Sequence, residues 1–148
     1  MGITKCLVAI LLLINFAYAN EFAKDLEKKF DLQSDEFLLI GYYQLVGCVK
    51  CNILQFTVMQ KVSEIDKMQK VKLVAAVRCD RELELSLFKK EENWKHEILV
   101  DNGKLKSSLG AKEDVLMTFI SGKDHKITHV YGNENDKIDK IIKMLTVN

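Results

Sequence analysis

The sequence predicts an α/β protein with three layers, in which a mixed four- to five-stranded sheet carries helices on both faces. Two observations indicate this class. Apolar segments with the length of strands alternate with amphipathic segments, which favours parallel pairing, and two closely spaced strands near the C-terminal end favour an antiparallel hairpin. The chain has 148 residues without an internal repeat or a Gly/Ser linker, so we expect one folded domain.

The individual elements follow from the spacing of apolar residues. Apolar residues at every second position or in a short continuous run predict strands. Apolar residues that recur at steps of three and four predict helices. The predicted strands are 36–43, 71–77, 97–100, 114–121 and 125–131, and the predicted helices are 21–30, 51–68, 81–94 and 133–146. Turns are expected at 101–103 and 122–124. The helix positions expected to face inward include Leu54, Val58, Val62, Ile65, Leu83, Leu87 and Phe88.

The N-terminal segment has the pattern of a secretory signal peptide. Lys5 precedes an apolar stretch, and Ala17-Tyr18-Ala19 is the small-x-small pattern that signal peptidase cleaves. We therefore expect a signal peptide over 1–19, cleavage near Ala19 and a mature domain over 20–148. This predicts an extracytoplasmic location, periplasmic or secreted. An uncleaved membrane anchor is the alternative, although the apolar stretch is short for a membrane span.

The charge balance bears on the class of partner. The predicted signal peptide holds one of the 22 basic residues and none of the 21 acidic ones, so the remainder is balanced. Nucleic acids and anionic membranes attract proteins with a clear basic excess. We therefore expect no nucleic-acid partner, and no membrane partner unless the signal stays as an anchor. We also expect the protein to be a monomer.

The residues most indicative of chemistry are Cys48 and Cys51 in the stretch GYYQLVGCVKCNILQF. One of the four cysteines, Cys6, lies in the predicted signal, which leaves Cys48, Cys51 and Cys79 in a compartment where disulfides persist. A C-x-x-C (CxxC) pair can hold a metal, close a structural disulfide or act as a redox couple. Its position between a predicted strand and a predicted helix favours the redox couple.

The predicted helix start gives the two cysteines different properties. The unpaired N–H groups and the helix dipole stabilise a thiolate at Cys48, and Lys50 adds a positive charge nearby. Both effects are expected to lower the pKa of Cys48 below its ordinary value of about 8.5. Cys51, one turn into the helix, is expected to be more buried and to act as the resolving thiol. The alternative is an inert disulfide that braces the helix start.

A third cysteine follows the second parallel strand. Loops at the carboxyl ends of parallel strands share one edge of the sheet, so Cys79 and Asp80 are expected near the Cys48 loop. Cys79 is then a third redox thiol and Asp80 a proton acceptor, or Cys79 is simply a small half-buried residue at a strand end.

A metal site is the less favoured interpretation. His96, His125 and His129 lack the close spacing of a zinc ligand pair. His125 and His129 are expected on one solvated face of a strand. We expect no metal and no other cofactor.

The order strand, Cys48-Val49-Lys50-Cys51, helix, strand, helix, hairpin around FISGKDHKI and last helix resembles the thioredoxin superfamily over residues 34–147. The segment VRCDRELELSLFKKEENWKHEILVDNGKLKSSLG looks like its exported TlpA-like or redoxin-like branch. The resemblance implies a thioredoxin-like fold and an exported thiol-disulfide oxidoreductase. Its partners would be cysteine-containing exported proteins or a redox donor protein.

The chain departs from that family at three places. Gly47 stands where an aromatic residue usually precedes the first cysteine, the strand 36–43 offers no acid beyond Glu36, and the chain contains no proline. The position of the family's cis-proline falls at Asp114 or Val115, where we expect a trans peptide, since a cis bond without proline costs about 3–4 kcal/mol. The candidates for a substrate groove are Gly47, Tyr43, Asp114 and Val115.

These departures motivate two alternatives. The first is a non-catalytic binding module with a structural disulfide, and the second is a metal-binding variant at the C-x-x-C. A peroxidase of the peroxiredoxin kind is the least favoured class, because GYYQLVGC lacks the Pro and Thr that this class needs before its cysteine.

Overall fold

The computed structural model describes residues 17–44, 49–66, 69–79, 82–91 and 93–131 and positions 139 and 143; at 49–54, 82 and 91 it describes the backbone. The elements in these ranges are α1 (17–29), β1 (Phe37–Gln44), α2 (Val49–Ile65), β2 (Val71–Arg78), α3 (Glu82–Glu91), β3 (Glu97–Val100), α4 (Leu105–Ser108), β4 (Val115–Ser121) and β5 (Ile127–Tyr131). The helix predicted over 133–146 lies outside the described residues, except that 139 and 143 are helical.

The sheet has five strands in the order β3-β2-β1-β4-β5. β1 is parallel to β2, and β2 is parallel to β3. β4 is antiparallel to both of its neighbours, β1 and β5. The predicted mixed sheet is therefore confirmed, with the parallel strands on one side of β1 and the hairpin on the other.

Helices cover both faces of this sheet. α1 and α4 pack on one face, where the core consists of Ala23, Leu26, Leu38, Ile40, Tyr42, Val74, Ala76, Leu105, Leu109, Val115 and Ile120. α2 and α3 pack on the other, in two clusters that contain Leu39, Val58, Met59, Val62, Leu73, Leu116, Met117, Phe119, Val130, Tyr43, Ala75, Val77 and Phe88. Because both faces of β1 are covered, its sequence is continuously apolar rather than alternating.

α2 begins two residues earlier than predicted and ends three residues earlier. Val58 and Val62 are buried as expected, whereas Ile65 is only half-buried. The stripe that faces the sheet also contains Met59 and the polar residue Gln55. The side chain of Leu54, also predicted to face inward, is outside the described part of the chain.

The prediction for the inward face of α3 was partly wrong. Phe88 is buried at 4% exposure, but Leu83 is 67% exposed and Leu87 is 46% exposed. α3 contacts the sheet through Leu85 and Phe88, which are three residues apart, so Leu83 and Leu87 lie on another side of the helix. Apolar spacing alone could not show that this short helix has so narrow a contact.

The turns are as predicted, but the elements after them differ. β5 begins at Ile127 rather than 125, because His125 has a φ of 57° and ends the 122–124 turn outside the strand. The short α4 was not predicted. Its start is fixed by Asp101, whose Oδ1 accepts hydrogen bonds from the N–H groups of Gly103 at 2.8 Å and Leu105 at 3.1 Å.

A polar network crosses the α1-side core. The hydroxyl of Tyr42 on β1 is 2.7 Å from Oγ1 of the fully buried Thr118 on β4. The same Oγ1 is 3.0 Å from Nδ1 of His129 on β5. Burial raises the pKa of Tyr42, which the hydrogen bond from Thr118 only partly offsets. No sequence pattern predicts this network, since Thr118 lies inside an otherwise apolar strand.

The hairpin turn is fixed to the segment that precedes β1. The N–H of Gly122 donates to the carbonyl oxygen of Glu36 at 3.0 Å. A Cβ at Gly122 would overlap the carbonyl oxygen of Gln33. The close approach of the two backbones therefore requires glycine at this position.

We expect Gly122→Ala to lower the free energy of unfolding by about 2 kcal/mol, because the turn must move away from Gln33 to make room for the methyl group. Urea unfolding followed by circular dichroism measures the change. Lys123→Ala, at the exposed neighbouring position, is the control and should change stability by less than about 0.5 kcal/mol. Equal stabilities of the two variants would contradict the packing of this turn.

The Tyr42 network predicts a pH dependence. The pKa of Tyr42 is raised in the folded state above the unfolded value of about 10, so folding favours the neutral phenol. The resulting contribution to stability is fully present below pH 10 and is lost as the pH rises further. Tyr42→Phe should therefore be less stable than wild type by about 1 kcal/mol at pH 7. The difference should shrink above pH 10, as measured by thermal unfolding between pH 7 and 11.

Thr118→Val is the matched control for this experiment. It removes the same hydrogen bond but keeps the buried phenol, so it should retain the steep alkaline loss of stability seen in wild type. If Tyr42→Phe lost stability at alkaline pH as steeply as wild type, the buried phenol would not be the group responsible.

Candidate functional site

The candidate site lies where the chain leaves the central strand. β1 ends at Gln44 and α2 begins at Val49, so Cys48 directly precedes the first residue of the helix. Gly47 and Cys48 themselves are outside the described residues. Cys51 is the third residue of α2, and its backbone is helical. The start of α2 therefore falls at the C-x-x-C.

The charge of the first turn of α2 bears on the predicted thiolate at Cys48. The turn contains no acidic residue and includes Lys50. The N–H groups of a helix start and a nearby cation both favour a negative charge at this end. A thiolate at the residue before the helix would be stabilised by both.

The register of α2 gives the position of Cys51 in the helix. The residues that face the sheet, Gln55, Val58 and Val62, recur at steps of three and four. Cys51 is four residues before Gln55 and so belongs to the same stripe. The role of Cys51 as the resolving thiol stays a prediction.

Three segments of the chain meet at this edge of the sheet. Gln44 at the end of β1 pairs with Arg78 at the end of β2, so Cys79 leaves the sheet beside the segment that leads to Cys48. β4 is antiparallel to β1, with Gly41 opposite Met117, so Asp114 enters at the same edge. The shared edge expected from parallel strands is therefore present. Asp80 is outside the described residues.

Cys79 is half-buried and does not form a disulfide bond. It packs against a cluster of aromatic residues on the α2 side of the sheet. The ring centroids of Tyr43 and Phe88 are 5.2 Å apart, and those of Tyr43 and Trp94 are 6.0 Å apart. Because the side chain of Tyr43 is only 2% exposed, it belongs to the core beneath this edge.

The two remaining groove candidates lie at the start of β4. Asp114 is exposed, whereas Val115 is buried in the α1-side core. No peptide bond among the described residues is cis, so the bond between Asp114 and Val115 is trans. A β-bulge between Val115 and Met117 follows at once. Asp114 is thus the described groove candidate whose side chain reaches the surface.

The three histidines have separate surroundings. His96 lies beside Trp94, with ring centroids 5.3 Å apart, and burial lowers the pKa of His96. Nδ1 of His125 is 2.7 Å from Oε2 of the buried Glu27 on α1. His129 contacts Thr118, and His125 precedes β5, so the predicted shared strand face of these two was wrong. Within the described ranges, no three His, Cys, Asp or Glu side chains are placed to hold a metal ion.

α1 runs without interruption through Ala19 and Asn20, the expected cleavage point, and Ala19 packs in a buried position. In the part of the chain that is described, no helix has the length and apolar character needed to cross a membrane.

Solved structures with the same architecture are numerous, although no protein-family model and no curated protein matches the sequence. A secreted Mycobacterium tuberculosis disulfide oxidoreductase homologous to E. coli DsbE is 13% identical, with 80% of this chain and 86% of that chain covered and a TM-score of 0.58. A thiol:disulfide interchange protein from Bacteroides sp. is 12% identical, with coverages of 76% and 74% and a TM-score of 0.58.

A thioredoxin-family thiol:disulfide interchange protein from Chlorobium tepidum is 11% identical, with coverages of 76% and 81% and a TM-score of 0.57. These likenesses extend over most of this chain and of each compared chain. The chain therefore has the thioredoxin-like fold.

Proposed function

We propose that the protein is an exported thiol-disulfide oxidoreductase that exchanges a Cys48–Cys51 disulfide with cysteines of extracytoplasmic proteins. The observation that carries this proposal is the start of α2 at Val49, immediately after Cys48 and at the end of the central strand. The names of the similar structures support the reaction class. The N-terminal signal pattern supports export to the periplasm or the outside of the cell.

The exchange proceeds in two displacements. The Cys48 thiolate attacks one sulfur of a partner disulfide, and the other partner sulfur leaves as a thiolate. Cys51 then loses its proton and attacks the sulfur of Cys48, which releases the partner. The products are a Cys48–Cys51 disulfide and a partner with two thiols, so two electrons have passed from the protein to the partner. The reverse sequence oxidises a partner dithiol.

The helix start supports the first displacement. The attacking species is the thiolate, and its fraction at neutral pH rises as the pKa of the cysteine falls. The helix N-terminus and Lys50 favour the charged form, and the first turn has no acid to oppose them. Cys51, on the sheet-facing stripe, lacks these advantages and is suited to the second displacement.

The edge around the C-x-x-C supplies the further candidates. Asp114 is exposed and enters the sheet beside the end of β1, and we propose that Asp114 and Gly47 contact the partner chain. Cys79 leaves β2 at the same edge and is proposed as an accessory thiol, with Asp80 as a proton acceptor. Tyr43 and Val115 support this edge from the core.

The cysteine roles are tested by substitution. Cys48→Ser should abolish reduction of a small aromatic disulfide with dithiothreitol as electron donor, because the attacking sulfur is gone. Cys51→Ser should accumulate a mixed disulfide at Cys48, which mass spectrometry detects as an adduct. Cys79→Ser tests the accessory thiol. A rate close to wild type would make Cys79 a packing residue, and a large loss would make it part of the exchange.

The second candidate function is a binding module with an inert disulfide, which is favoured by the trans bond at Asp114 and Val115. It predicts that Cys48 and Cys51 stay oxidised in every glutathione buffer and that Cys48→Ser has no effect on disulfide turnover. A reversible two-electron couple in those buffers would rule it out, and the measured potential would give the direction of exchange.

A further inference from the structure

The strand β3 forms one edge of the sheet. In the order β3-β2-β1-β4-β5 it is hydrogen-bonded to β2 on one side, and its other side is open. An edge strand can pair with another chain, and proteins usually protect such edges with charged residues, proline, a bulge or a very short strand. β3 is short, but after Glu97 its residues Ile98, Leu99 and Val100 are all apolar. Its register with β2 has no bulge.

The hydrogen bond that follows β3 shows which of its backbone groups face outward. The N–H of Asp101 donates to the carbonyl oxygen of Val77 on β2 at 3.0 Å. Successive residues of a strand direct their N–H and C=O groups to opposite sides, so Leu99 also faces β2, whereas Ile98 and Val100 face away from it. Among the described residues, none forms a hydrogen bond with these outward groups. β3 therefore offers two donors and two acceptors to a further strand.

An exposed apolar surface lies at the same edge. Of the four large apolar side chains that are exposed in the described ranges, three belong to α3 and β3, namely Leu83, Leu87 and Val100. Val100 is 56% exposed and shares a face of the sheet with Ile98, which packs in the α3-side cluster. α3 connects the parallel strands β2 and β3, so it begins at the end of the sheet where β3 finishes. The first turn of α3 and Val100 thus lie at the same end of the sheet.

A second copy of β3 matches the outward groups of the first. In an antiparallel pair with a two-fold axis at Leu99, Ile98 of one chain lies opposite Val100 of the other. The N–H of each of these residues then donates to the carbonyl oxygen of the residue opposite, so that every outward group of both strands is paired. The two Leu99 side chains meet at the centre, and the exposed Val100 of each chain lies beside Ile98 of the other.

The symmetry of this pair also limits its size. A two-fold contact uses the same edge of both chains and closes at two copies. Pairing of β3 with β5, the other edge of the sheet, would instead leave an open edge on each copy and continue into a filament.

We propose that the protein is a homodimer in which two β3 strands pair antiparallel and join the two sheets into one. This differs from the monomer expected from the sequence, which does not show which strand lies at an edge. The two-fold axis is perpendicular to the sheet, so both α3 helices lie on the same face of the joined sheet. The inference does not depend on the proposed function, because the candidate site lies at the ends of β1 and β2.

Val100→Pro tests the backbone pairing. Proline removes the outward N–H of residue 100 but no hydrogen bond to β2, so an edge strand tolerates it. The dimer loses a hydrogen bond from each chain. Val100→Thr is the matched control, because it keeps both the N–H group and the β-branched shape. Circular dichroism checks that both variants are folded.

Sedimentation equilibrium of the purified proteins measures the mass in solution. A reducing agent is present, so that disulfides between chains do not contribute. As concentration rises, wild type and Val100→Thr should reach twice the mass of one chain, and Val100→Pro should stay at the mass of one chain. A wild type that stays at the mass of one chain would overturn the proposal. Equal dimer formation by the two variants would also overturn it, because the interface would then lie elsewhere.

Glu97 provides a second test if Val100→Pro does not fold. In the two-fold register, Glu97 lies opposite Asp101 of the other chain, and like charges at such positions destabilise a strand pair. Glu97→Lys makes both of these pairs attractive and should lower the dissociation constant of the dimer by about fivefold. Glu64→Lys, the same change at an exposed position of α2, is the control and should leave the constant unchanged. An equal constant in the two variants would overturn the pairing of β3 with itself.

Discussion

The burial of β1 on both faces is the constraint on which the rest of the structure depends. Leu38, Leu39 and Ile40 are at most 1% exposed, and hydrogen-bonded strands lie on both sides of them. In such a strand every backbone polar group is satisfied by the sheet, and every side chain has to be accommodated in a dry core. Charged side chains are therefore excluded from the strand. Its first exposed residue is Gln44, at its end.

The same constraint determines which segments of the chain lie at the candidate site. The neighbours of β1 are fixed by register, so that the ends of β1 and β2 and the start of β4 lie at one edge of the sheet. The stripe of α2 that packs on this sheet fixes the direction of the helix, which begins five residues after the end of β1. The position of this helix start is therefore set by core packing rather than by a loop.

The few polar groups inside the core have distinct consequences. On the α1 side, Tyr42, Thr118 and His129 join three strands through hydrogen bonds and leave no unpaired atom at the Thr118 hydroxyl. On the α2 side, Oε1 of Gln55 is buried without a hydrogen-bond partner. A satisfied network makes the core specific, whereas an unsatisfied buried group lowers stability.

The sequence alone determined the fold class, the five strands and the C-x-x-C between a strand and a helix, because apolar periodicity and local turn chemistry encode these features directly. Leu83 and Leu87 show the limit of that information. Both fit an apolar face, yet the apolar side chains by which the described part of α3 contacts the sheet are Leu85 and Phe88. Which apolar stripe is buried, which polar residues are enclosed and which segments share an edge depend on packing between elements distant in sequence. The Thr118 network and the unpaired oxygen of Gln55 were therefore decided by the tertiary structure.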